Sequence, residues 1–308
     1  MREESFLVKI WNVLWPLAIY MVVQNMIAIL GSFVLMIISS LVNADAQGMV
    51  NLETITESTM DLYGQYAIVF ILIAALICIP IYYKMYKKDC MLAGEVKKDI
   101  PITNKDIAAI ALSAAALALA MNNIISLTPL PKLFKGYEDT NAVLYGGGLF
   151  LQIISAGIFA CIVEELSMRG ITYLRMKRYW GTRMAMLLSA LVFGLYHLNV
   201  VQAVYSFFLG LFFAWLYERY DSMWAPCIGH MSANLFIILL SESSVFEKVM
   251  TTLVGFCLIT CISLLVFYYG WKWMKQSGSM TRLEFVQKEP DTLEKLREEY
   301  KGQEREEE

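Results

Sequence analysis

Only two histidines occur in the chain, His197 and His230, and each lies in an apolar stretch long enough to cross a membrane. A third such stretch holds an adjacent acid pair, Glu164 and Glu165. An ionisable side chain at the centre of a bilayer costs on the order of 3 kcal/mol, so such groups pair with one another or do chemistry. A carboxylate drawn partly out of water becomes a better proton acceptor and can serve as general base toward a water molecule. Two imidazoles and an amide facing it could orient that water, hydrogen-bond a developing oxyanion, or bind a metal ion. This combination suits hydrolysis of a peptide bond.

The spacing of the polar residues indicates which of them share a helix face. Asn234 follows His230 by four residues, His197 follows Phe193 by four, and Arg169 follows Glu165 by four, the last in the favourable order for a helical ion pair. Arg169 is therefore expected to neutralise Glu165 while its stem snorkels toward the nearer membrane surface. Glu164, about 100° further round the helix, is left as the candidate base. Phe193 is expected to pack against His197 and fix its rotamer. Tyr196, Asn199 and Gln202 are polar neighbours that fit either a cavity wall or an outer turn.

Positioning these groups requires helices that fold back on one another. Glu164 lies 17 residues before Gly181 and His197 lies 16 after it, so a helical hairpin turning at Gly181 brings the two to nearly the same height. The next turn, at 218–222, sets His230 about 10 Å in from the same side. The basic cluster Arg175, Lys177, Arg178 and Arg183 is expected to project into the cytoplasm.

Composition agrees with a membrane setting. Of 308 residues, 58% are hydrophobic and 17% charged, with a mean hydropathy of +0.53, which excludes an ordinary soluble domain. Apolar spans fall near 14–42, 65–83, 107–127, 143–173, 184–199, 202–217, 223–240 and 249–271. The expected fold is all-α, a polytopic membrane helical bundle of about eight transmembrane helices. Of the 25 Lys and Arg residues, 22 fall on one set of connections, which by the positive-inside rule places both termini in the cytoplasm. The first apolar block has no cleavage site of the usual kind and reads as a retained span. The six cysteines lack CxxC spacing and read as packing residues. No glycine-rich nucleotide loop occurs, and no nucleic-acid partner is expected.

The ordered trio EExxxR at Glu164, Glu165 and Arg169, FxxxH at Phe193 and His197, and HxxxN at His230 and Asn234 resembles the CPBP family. This family comprises the CAAX proteases and bacteriocin-processing (Abi) proteins and includes the type II CAAX prenyl protease group. The resemblance covers about 146–240. It implies an intramembrane endopeptidase in which Glu164 activates water, His197 helps to position it, and His230 with Asn234 stabilises the tetrahedral intermediate. Glu165, Arg169 and Phe193 support these four.

The family is often labelled a metalloprotease. If a metal is present, Glu164, His197 and His230 are the available ligands, and zinc is the candidate ion. The implied partners are the lipid bilayer and a peptide or protein substrate, either lipidated or a bacteriocin or pheromone precursor, reaching the site from the cytoplasmic side. The implied location is a bacterial cytoplasmic membrane. The alternative is a proteolytically silent membrane scaffold or bacteriocin-immunity factor of the same fold. The expected organisation is an N-terminal set of three helices without a motif (1–142), a catalytic core (143–240), a last transmembrane helix (241–281) and a charged cytoplasmic tail (282–308).

Overall fold

The computed structural model describes residues 5–44, 51–92, 102–134 and 147–276; the charged tail lies outside them. Among the described residues the chain is helical throughout, with seven stretches long and apolar enough to cross a membrane. These are α1 (Phe6–Val42), α2 (Leu52–Leu92), α3 (Asn104–Ser126), α4 (Leu149–Tyr196), α5 (Val200–Tyr220), α6 (Trp224–Ser241) and α7 (Leu253–Gln276). The chain is an integral, multi-pass membrane protein. The fourth and fifth of the eight expected spans both lie within α4, which is broken at Gly181.

Within α4 the chain nonetheless reverses. Gly181 takes φ 77°, ψ 168°, a region that side chains with a Cβ essentially do not populate. The reversal is evident from contacts: the Arg169 guanidinium carbon lies 4.6 Å from the Phe193 ring centroid, whereas 24 residues of straight helix would separate them by about 36 Å. The hairpin expected at Gly181 is therefore present. Gly181→Ala should cost about 1–3 kcal/mol through backbone strain alone, since a Cβ there would meet nothing within 4 Å. A lowered thermal midpoint in detergent, with the helical circular dichroism of the folded state unchanged, would be the sign of it.

Charged side chains gather at one end of the bundle. Asp89 near the end of α2 is 2% exposed and accepts from Arg175 Nε and Nη2 (3.0 and 2.8 Å) and from Arg178 Nη2 (3.0 Å). Lys177 pairs with Glu218 at 2.7 Å, Arg219 donates to the Met274 carbonyl (3.1 Å), and Tyr220 donates to Asp106 (3.1 Å). Asp106 also closes a capping box with Thr103 at the start of α3. The beginnings of α1 and α3, the Gly181 turn, the α5–α6 turn and the ends of α2 and α7 all lie on this side, as the loop charges lead one to expect. The basic residues do not simply project outward, however. Arg175 and Arg178 fold onto Asp89, because a buried carboxylate that needs a partner draws a guanidinium fork away from open water.

Pro16 adds a local device in α1. It has no N–H to give to the Asn12 carbonyl, and Arg175 Nη1 donates to that oxygen (2.5 Å). One turn on, the Tyr20 N–H donates to Tyr82 Oη (3.0 Å), which itself donates to the Pro16 carbonyl (2.7 Å). A hydroxyl from α2 is thus inserted where a regular helix would close its own bond, a recognised cause of kinking.

The first limb of α4 runs through the middle of the bundle, with every residue from Leu166 to Tyr173 buried. In contrast, α1 and α7 turn large apolar side chains such as Ile29, Phe33, Ile37, Leu258, Ile262 and Leu265 outward. Against lipid this exposure is favourable, since hydrocarbon replaces water at the surface. α2 has 41 residues, about 60 Å by helical rise, so its first turns with Glu53, Glu57 and Asp61 extend beyond a bilayer core of about 30 Å. The six cysteines are free thiols.

Candidate active site

The acid pair sits on a short α-helical segment, Ala160–Glu165, between two π-helical ones, Ile153–Phe159 and Leu166–Tyr173. π turns inside an α-helix are uncommon and concentrate at functional sites, because the extra residue redirects side chains and carbonyls. Here they flank the acids on both sides.

Glu165 and Arg169 form an ion pair of 2.9 Å with both side chains 0% exposed. Arg169 also donates to the Gly210 carbonyl on α5 (2.9 Å), and its guanidinium carbon lies 4.6 Å from the Phe193 ring centroid and 5.4 Å from that of Phe213. The close approach of α5 depends on Gly210, where a Cβ would come within 3.1 Å of Ala190 Cα and 3.2 Å of Phe193 Cδ1. The expectation that Arg169 snorkels to a membrane surface is overturned. Its head group finds a carboxylate, a carbonyl and two ring faces inside the protein, and these partners replace the water it would otherwise seek.

His230 joins the same carboxylate. Its Nδ1 lies 2.8 Å from Glu165 Oε1, and a carboxylate ionised by its arginine can only accept, so Nδ1 carries the proton. The other ring nitrogen, Nε2, is 3.8 Å from Glu164 Oε2. Phe213 stacks on the imidazole with centroids 5.0 Å apart, and Phe193 meets it edge-on at 5.6 Å. Arg169, Glu165 and His230 are thus linked in a row that ends at Glu164. The two acids differ as their environments dictate: Glu165 is sealed, whereas the Glu164 side chain is 18% exposed and lines a cavity.

The second histidine follows the same logic. His197 Nδ1 lies 2.8 Å from the Phe193 carbonyl, which can only accept, so Nε2 is left for the cavity that His197 lines. The Phe193 ring meets the imidazole edge-on at 5.1 Å, and thereby touches both histidines and Arg169. Asn234 also lines the cavity. Its amide nitrogen donates to the Ala156 carbonyl (3.0 Å) and to Cys161 Sγ (3.3 Å). Turning the amide over would set two acceptor oxygens against each other, which favours the nitrogen on the Ala156 side. The amide nitrogen thus faces the first limb of α4.

The cavity has a volume of about 1000 Å³. Besides Glu164, His197, His230 and Asn234 it is lined by Tyr20 of α1, Tyr63 of α2, and Asn122 and Ser126 of α3, with Ser241 and Glu247 at its far end. Its walls therefore reach the end of the bundle away from the Asp89 cluster. Substrate was expected from the basic side; the cavity lining also includes residues at the other end. Tyr196 and Gln202 line it too, while Asn199 caps α5 by accepting from the Val201 and Gln202 amides (2.9 and 3.2 Å). Phe213, Gly210 and Tyr20 were not singled out from the sequence. Gly210 and Ala214, two small residues four apart in an apolar helix, were the available signal of close packing at α5.

The metal set Glu164, His197 and His230 is not assembled. Among the described residues no three His, Cys, Asp or Glu side chains are grouped to hold a metal ion. The donors do not fit a three-ligand zinc site, which needs bonds near 2.0 Å converging on one point.

Fold and site define a class: a multi-pass helical membrane protein with an acid pair, two imidazoles and an amide brought from three helical segments to one internal cavity. A family model described as "Type II CAAX prenyl endopeptidase Rce1-like" matches residues 146–236, a segment of under half of the chain. All seven motif residues fall inside it. The chain is also similar to "Putative membrane peptidase YdiL" of Bacillus subtilis (strain 168), at 29% identity over 104 residues, 33% of this chain and 43% of that protein. The similarity thus spans under half of the relative's length. No solved structure matches the chain.

Proposed function

We propose that the chain is an intramembrane endopeptidase in which Glu164 activates water. The observation that carries this reading is the row Arg169, Glu165, His230, Glu164, which ends with a carboxylate open to a cavity in an otherwise apolar bundle. Glu164 takes a proton from water, and the hydroxide oxygen bonds to the carbonyl carbon of the substrate. The carbonyl π electrons move to its oxygen. Collapse of the tetrahedral intermediate re-forms the carbonyl and expels the amine, which receives the proton held by Glu164, so one peptide and one water give one acid and one amine.

Glu165 fixes the His230 tautomer and directs Nε2 toward Glu164, while His197 offers its Nε2 to the same water. The substrate is a peptide or protein segment reaching the site through the cavity from the end opposite the basic turns, its lipidation being a property the bilayer would accommodate. The test is cleavage of a peptide library by purified wild type and Glu164→Gln in detergent; equal product from both would end the proposal.

The same arrangement predicts the outcome of metal removal. Since the donors do not converge, cleavage should persist in a strong chelator and elemental analysis should find no stoichiometric zinc. Loss of activity in the chelator, restored by added zinc, would show that the side chains regroup around an ion.

A further inference from the structure

A developing oxyanion needs a donor, and the amide hydrogens of Asn234 are bound to Ala156 and Cys161. Tyr20 offers one. It belongs to α1, outside the 146–236 segment that carries the family likeness. Its side chain is 3% exposed and lines the cavity beside Glu164. It packs in one cluster with Val163 and Leu166, which bracket the acid pair, and lies within electrostatic reach of Glu164 itself. Its hydroxyl has no hydrogen-bond partner among the described residues. A phenol on a largely buried residue that lines a cavity and bonds to no described side chain is placed for a ligand. Its backbone is also held: Tyr82, 0% exposed, bridges the Tyr20 N–H and the Pro16 carbonyl across the α1 kink.

We propose that Tyr20 is a catalytic residue whose hydroxyl donates a hydrogen bond to the carbonyl oxygen of the scissile peptide as that oxygen gains negative charge, with Tyr82 as its positioning residue. The inference rests on the peptidase reading above. A phenol suits the task because it donates without carrying charge into an apolar site, and a donor set in advance costs no reorganisation at the moment of reaction. The first helix, which carries no motif, would then complete a centre built from α4 and α6.

The test compares wild type, Glu164→Gln, Tyr20→Phe, Tyr82→Phe and Tyr196→Phe on a peptide cleaved from the library, together with binding of a phosphinic analogue of that peptide, whose tetrahedral oxygens imitate the intermediate. Tyr20→Phe keeps the ring and its packing. It should lower kcat by about 10²–10³-fold, leave KM nearly unchanged, and weaken the phosphinic analogue by a comparable factor without weakening the uncleaved peptide on Glu164→Gln. Tyr82→Phe lets the Tyr20 N–H return to the Pro16 carbonyl and should cost a smaller part of kcat.

A wild-type kcat in Tyr20→Phe, a change confined to KM, or a loss found in Tyr196→Phe instead would overturn the inference while the peptidase reading stands. Absence of cleavage by wild type beyond that of Glu164→Gln would overturn both.

Discussion

Glu164→Gln should reduce kcat by about 10²–10⁴-fold, the range contributed by a positioned general base, while leaving the fold intact. The substitution keeps the shape and hydrogen-bonding reach of the side chain and removes only the capacity to take a proton. Glu164 is also the one member of the row that the packing can spare. It is partly exposed to the cavity and lies 3.8 Å from His230 Nε2, whereas Glu165 is bonded to both Arg169 and His230 and all three are buried. Thermal midpoints of wild type and variant should therefore agree closely while product formation does not. Measuring both on one detergent preparation separates loss of chemistry from loss of structure; a variant that cleaves at the wild-type rate would transfer the base role to another group.

The proposed roles also explain why two adjacent acids are needed. A single carboxylate cannot both sit sealed against an arginine and remain open to water, because burial and ion pairing fix it as a permanent acceptor. Adjacent positions on a helix point about 100° apart, so neighbouring residues can face a packed interior and a cavity from one turn. Glu165 holds the imidazole through Nδ1, and Glu164 meets the other side of the ring.

Local periodicity made much of this legible in the sequence. The four-residue spacings gave the Glu165–Arg169 pair, the union of Phe193 with His197, and the common face of His230 and Asn234. Counting from Gly181 gave the hairpin that brings Arg169 to Phe193. What stayed hidden depends on packing between elements distant in sequence. The burial of Arg169 needs Gly210 and Phe213 from α5. The orientation of the Asn234 amide needs the carbonyl of Ala156, which lies in a π-helical turn that no simple hydrophobic pattern announces. The direction of the cavity depends on where α1, α2 and α3 leave space, and the placement of Tyr20 depends on a tyrosine 62 residues away. Charge counting sorted the loops onto two ends but said nothing about which end the interior opens toward.

Arg169→Met should destabilise the protein by about 3–5 kcal/mol, the cost of removing one partner from a buried ion pair. Methionine fills most of the volume between Phe193 and Phe213, so the effect comes from charge rather than from a void. Glu165 would remain with an uncompensated negative charge, bonded only to His230 among the groups that now hold it. It would then either take up a proton or draw one onto the imidazole, and each outcome alters the tautomer that presents Nε2 to Glu164, so cleavage should fall along with stability. Adding Glu165→Gln to Arg169→Met separates the two effects. The neutral amide removes the stranded charge, and buried ion pairs can often be replaced by neutral groups at little cost in stability, while its carbonyl oxygen can still accept from His230 Nδ1. The double variant should therefore recover most of the thermal midpoint and part of the cleavage rate. If Arg169→Met proved as stable as wild type, the 2.9 Å pair would not be holding Glu165 in its charged form, and the argument that fixes the His230 tautomer would fail with it.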